Sequence, residues 1–238
     1  FNAVFTDKAS NKKLGINTHN NFPVLAVLDS DMTKSCPYSV ALSSGLDALV
    51  HTFESFACKK SNPYTRMFAR EAFRFLINDL ENALTENTDE ARENVLFGAY
   101  LAGISLFNSG SGPAGALSYA LGVVCKIPHG LAGGIILPYL IKHNADRHYT
   151  DYSQLYDLMD GADTSLSVEE KTKRLVNHFF GLYDRLKVWD QIKKYKVNIE
   201  NDLQLNDYIN LLQGAFDQNP LPFVIDDGKN ILRKIFNR

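Results

Sequence analysis

Residues 45–56 read GLDALVHTFESF. Asp47 and His51 stand four residues apart in an apolar run, with Glu54 three further on. On an α-helix, positions i and i+4 lie on one face, one turn apart. A carboxylate and an imidazole on a buried helix face form either a hydrogen-bonded pair within the helix or two donors aimed at one divalent ion. Carboxylate oxygen with imidazole nitrogen is a hard-to-borderline set that suits Fe(II), Zn(II), Mn(II) or Co(II). The spacing alone leaves both readings open.

Working outward, the same run starts a series of helical periods. Ser35–Pro37 offers a helix start, and apolar residues then follow a helical period through Phe56. Asn62-Pro63 opens a second helix and Thr88-Asp89 a third, ending near Phe107. NSGSGPAG (108–115) reads as a loop, ALSYALGVV as a short helix, and IPHG (127–130) as an interruption before LAGGIILPYLIKHN. Amphipathic helices are predicted near 151–159, 167–187, 203–216 and 226–237, making about nine in all. The first several are apolar nearly all round, which predicts burial. Residues 1–33 read as extended, with AVFTD and PVLAVLDSD as short strand-like runs. Phe1 opens in what reads as mid-strand, so the chain is taken as the C-terminal portion of something longer.

Composition bounds the function. The 238 residues carry 45% hydrophobic and 22% charged residues and a net charge of −2, ordinary values for a globular protein. There is no basic block to suggest nucleic acid, and no apolar run approaches the roughly 20 residues that span a bilayer. Three widely spaced cysteines, Cys36, Cys58 and Cys125, point to reduced thiols and a cytoplasmic setting. Pro128-His129-Gly130 places another imidazole at the mouth of a helix carrying Gly133 and Gly134, where small residues allow close backbone approach.

Taken in order, VLDSDMTKSCPYSVALSSG, GLDALVHTFESF, NPYTRMFAREAFRFL, LAGISLFNSGSGPAGALSYALG and IPHGLAGGIILPYLIKHN resemble the iron-containing (group III) alcohol dehydrogenase family. The resemblance runs from about residue 3 to 145 and continues weakly to NPLPF, near 219–223. It implies a mainly α chain: the helical C-terminal domain (34–238) of a dehydroquinate synthase-like fold. Residues 1–33 would then be the remnant of an N-terminal dinucleotide-binding α/β domain.

It also implies an NAD(P)-dependent oxidoreductase that interconverts an alcohol and an aldehyde or ketone, with Fe2+ or Zn2+ as Lewis acid. The metal ligands it implies are Asp47, His51 and His129. The family's fourth ligand falls 14 residues before the last histidine, where this chain has Gly115, and glycine has no side chain to donate. Relatives within the superfamily manage with three protein ligands, and zinc can take water or substrate as a fourth. Weaker metal binding is therefore expected, with water or a neighbouring side chain in the space beside Gly115. Replacing Gly115 by His should tighten binding if the backbone follows the family. Tyr119, one turn after Gly115, is expected to orient substrate. His143 lies about four turns of 5.4 Å beyond His129, too far to share an ion, and His19, His148 and His178 sit in polar stretches that predict solvation. Lys13, in NKKLGI, resembles the lysine of a family strand that reaches the nucleotide; a solvated surface lysine is the other reading.

Three functional readings follow: the helical part of a metal-dependent alcohol dehydrogenase acting on a small alcohol or aldehyde, expected to be a homo-oligomer; a protein of the same fold with a degenerate metal site; and a non-catalytic helical module used in assembly.

Overall fold

The computed structural model describes residues 2–7 and 12–237; within them, the side chains of residues 2–6, 12–15, 17 and 19 lie outside the description. Strand β1 (Asn2–Asp7) pairs antiparallel with β2 (Lys12–Asn17) in a two-stranded sheet, with Thr6 opposite Lys13. The first strand is the predicted AVFTD run, and the second falls on NKKLGI. PVLAVLDSD differs from expectation. Among the described residues it pairs with no strand, and Val24, Leu25 and Val27 are 107%, 77% and 78% exposed. Strand propensity expresses fit to a pleated, half-buried surface, and among the described residues no neighbouring strand supplies one. A 3-10 turn, Ser30–Thr33, capped by Asp29, ends the segment.

The rest is helical: α1 (Tyr38–Ala57), α2 (Pro63–Thr85), α3 (Asp89–Phe107), α4 (Pro113–Val124), α5 (His129–Ala145), α6 (Ser153–Tyr156), α7 (Val168–Arg185), α8 (Val188–Ile192), α9 (Leu203–Asn210), α10 (Gln213–Phe216) and α11 (Ile225–Phe236). The starts follow the predicted chemistry. Asn62 and Thr65 form a reciprocal capping box at α2, Thr88 accepts from the Ala91 N–H at α3, and Ser167 accepts from the Glu170 N–H at α7. Two predicted helices are shorter than their patterns: 151–159 contains only α6, and 203–216 breaks after Asn210 into α9 and α10.

One helix is central. On α1, Leu46, Leu49 and Phe56 are fully buried and Phe53 nearly so. The Phe53 ring meets Phe73 of α2, Phe179 of α7 and Tyr152 at centroid distances of 5.4, 5.1 and 5.6 Å. Helix α5 packs along α1 because Gly130 and Gly134, two of its three glycines, face α1 with no side chain. A Cβ at Gly130 would lie 2.1 Å from the Ser43 carbonyl oxygen, and one at Gly134 would lie 2.7 Å from Leu46 Cβ. The Leu131 N–H donates to Ser43 Oγ at 3.0 Å, fastening the first turn of α5 to α1. No helix among the described residues is long and apolar enough to cross a membrane.

Candidate functional site

The close approach of α5 to α1 delivers His129, the first residue of α5, to the face of α1 that carries Asp47 and His51. His51 Nε2 lies 3.7 Å from Asp47 Oδ2, and His129 Nε2 lies 3.9 Å from Asp47 Oδ1. All three side chains are about 70% buried, at 28–30% exposure. Pro128, with φ −52° and ψ 136°, sets the turn into α5. Gly130 then lets His129 approach Asp47, since a Cβ at 130 would also sit 2.8 Å from Asp47 Cβ.

Tyr119 joins this cluster from α4, its ring 4.7 Å from the His129 ring. Burial and the nearby Asp47 charge hold its phenol above the usual range. It therefore stays protonated, which fits a hydrogen-bond donor and disfavours a ligand. Ser118, also on α4, places its Oγ 2.9 Å from His129 Nδ1 and 3.5 Å from Nε2.

The space beside Gly115 is filled. A Cβ there would lie 2.1 Å from Ser111 Oγ and 3.0 Å from Glu54 Oε2. Glu54, two turns along α1 from Asp47, is 4% exposed. Its Oε2 accepts from Ser111 Oγ–H at 2.7 Å and from the Gly112 N–H at 2.8 Å. Its Oε1 accepts from the Ala114 N–H at 2.6 Å, and the Gly115 N–H reaches Oε1 and Oε2 at 3.3 and 3.2 Å. A carboxylate thus caps the N-terminus of α4, where unpaired N–H groups and the helix dipole favour negative charge. Burial pushes the Glu54 carboxyl above the usual range, while the Ser111 and backbone bonds pull the other way.

Glu54, Ser111 and Ser118 are the contributors that motif reasoning passed over. The available signal was the i, i+4, i+7 spacing of Asp47, His51 and Glu54, which keeps all three on one face. His178 corrects an expectation of solvation. Among the described residues its Nε2 is buried without a hydrogen-bond partner, and burial lowers its pKa. His143 lies away from the cluster, beside Arg147 and Asp227, and His148 is exposed. The side chain of Lys13 lies outside the described residues, as does that of His19.

The donor set Asp47, His51 and His129 suits a divalent ion in chemistry, and the carboxylate stands between the two imidazoles. No group of three or more His, Cys, Asp or Glu side chains among the described residues already closes around an ion position.

These residues lie between a central buried helix and the mouth of a second one in an α-helical domain. The C-terminal profile of the Fe-containing alcohol dehydrogenases matches residues 41–236, and the chain belongs to this family. It is 27% identical over 175 residues to an NAD-dependent methanol dehydrogenase of Bacillus methanolicus, covering 73% of this chain and 46% of that protein. It is also 27% identical over 237 residues to an NADPH-dependent butanol dehydrogenase of Clostridium saccharobutylicum, covering 98% of this chain and 60% of that protein. A solved 1,3-propanediol oxidoreductase superposes with a TM-score of 0.88 at 23% identity, over 99% of this chain and 62% of that one, which shows the fold. The chain spans about half the length of the curated relatives it matches.

Proposed function

We propose that this chain is the helical half of an NAD(P)-dependent oxidoreductase that interconverts a small alcohol and its aldehyde or ketone. The observation that carries the reading is the Asp47 carboxylate facing His51 and His129 across the α1–α5 contact, in a chain of this family. Asp47, His51 and His129 are the residues that would hold a divalent metal, which when bound supplies Lewis-acid polarisation of the substrate oxygen. The nicotinamide, bound mainly by chain outside these residues, supplies hydride exchange.

This chain's own part is placement. Glu54 fixes the first turn of α4, and α4 carries Tyr119 and Ser118 to the cluster. The protonated Tyr119 hydroxyl is suited to donate a hydrogen bond to the substrate oxygen and orient it. Burial of the cluster limits water and strengthens each polar contact.

A second reading, a protein of the same fold with a degenerate site, is favoured by one observation: Ser111 and Glu54 fill the space beside Gly115. Elemental analysis of the purified protein separates the two. The first reading expects bound Fe or Zn that falls sharply in Asp47→Ala, with loss of NAD(P)-linked alcohol oxidation in the full-length protein. Equal, negligible metal in both proteins would overturn it in favour of the second.

A further inference from the structure

We propose that a cavity between α1, α2 and α3 binds a medium-chain carboxylate, with its head on Arg92 and its chain among apolar side chains. The cavity has a volume of about 250 Å³ and lies beside the Ser30–Thr33 turn. It shares no residue with the Asp47, His51 and His129 cluster. Its walls are largely apolar, with Met32, Leu80, Leu84, Val95, Leu96 and Ala99 among them. A small cavity of about 150 Å³ accepts benzene. On that scale 250 Å³ takes about ten heavy atoms, the size of octanoate.

Arg92 is the one charged residue in the lining, and it is 8% exposed. Its Nη1 donates to the Thr33 carbonyl at 2.7 Å and to Thr33 Oγ1 at 3.2 Å, and its Nε donates to Asn87 Oδ1. All three acceptors are neutral. Asp31 and Asp89, which flank this turn, pair with Lys34 instead, at 2.9 and 2.8 Å. Among the described residues Arg92 therefore has no ion pair, and its Nη2 has no hydrogen-bond partner. Nη2 is not sealed from solvent, so its N–H groups are open to a ligand. Holding a guanidinium out of water without a counter-charge is costly. A carboxylate accepting from Nη2 supplies that charge through a strong, charge-assisted bond. The apolar walls favour an anion that carries a hydrocarbon chain over a bare inorganic one.

The test is a calorimetric titration of the purified chain with octanoate, with octanamide as the neutral-headed control. One octanoate per chain should bind, with a Kd of about 1 mM or tighter, and octanamide should bind about tenfold or more weakly. Arg92→Met should bring octanoate down to the level of octanamide. Because Arg92 also holds the Ser30–Thr33 turn, Ala99→Phe serves as a second variant. It keeps the guanidinium, fills the cavity with a ring and should abolish binding of both compounds. Asp47→Ala should bind octanoate as the wild type does. Absence of saturable binding to wild type, equal affinity for octanoate and octanamide, or undiminished octanoate binding in folded Ala99→Phe overturns the proposal. Loss of binding in Asp47→Ala also overturns it, since the carboxylate would then sit at the Asp47 cluster.

Discussion

Glu54 shows how one buried side chain can support a site it does not enter. Its carboxylate accepts one O–H and three backbone N–H bonds at the start of α4. Truncating it strands those donors in the interior, so Glu54→Ala should cost about 3 kcal/mol in denaturant unfolding. Glu54→Gln should cost somewhat less, because the amide keeps one acceptor but turns an NH2 towards N–H groups. Gly115→His was expected from the family pattern to tighten metal binding. The filled space reverses that expectation for the single substitution, because the new Cβ would collide with Ser111 Oγ. Gly115→His alone should lower thermal stability without raising metal content. Combined with Ser111→Gly, which removes the colliding hydroxyl, it should raise zinc content above wild type. An equal rise in the single variant would show that Ser111 moves aside freely.

Among the elements, the α1–α5 contact is what creates the site. Neither helix holds a complete donor set, and the two come together because Gly130 and Gly134 present bare backbone to Ser43 and Leu46. Gly130→Ala forces a Cβ against the Ser43 carbonyl and Asp47. It should destabilise the protein by about 2–3 kcal/mol and separate His129 from Asp47, read together as a lowered unfolding midpoint and lost zinc uptake. Helix α7 carries a different liability. Burial lowers the pKa of His178, with Arg185 also lowering it and Glu81 raising it. Below its ordinary value of about 6.5, the unfolded imidazole binds a proton that the folded one rejects. Stability therefore rises with pH across that interval and is lost on acidification through it. Melting midpoints from about pH 5 to pH 7.5 should fall towards the acid side in wild type and fall less in His178→Leu.

At the scale of the molecule, the helices enclose a continuous core around Phe53 and Phe179, while Phe22, Val24, Leu25, Val27 and Leu28 remain exposed ahead of it. The Gly-rich stretch 108–112 lacks the strand-loop-helix setting of a dinucleotide fingerprint and leads into α4 under the Glu54 carboxylate. The 238-residue chain by itself should therefore show no saturable enhancement of NADH fluorescence in a micromolar titration. Tight, saturable binding would place a nucleotide cradle within these residues.

Helix positions were legible in the sequence because capping residues and apolar periods act locally: Asn62-Pro63, Thr88-Asp89 and Ser167 mark starts that the folded chain keeps. The pairing of Asp47 with His51 was legible for the same reason, since a single helical turn sets it. Residues 23–31 have a strand-like pattern but form no strand among the described residues, because strand formation depends on a neighbour that no local pattern supplies. The approach of His129 to Asp47, the capping of α4 by Glu54 and the contact of Ser118 with His129 each join residues 11 to 82 positions apart. Only tertiary packing decides them, because a glycine's missing Cβ or a buried carboxylate acquires its meaning from the atoms that the rest of the chain brings against it.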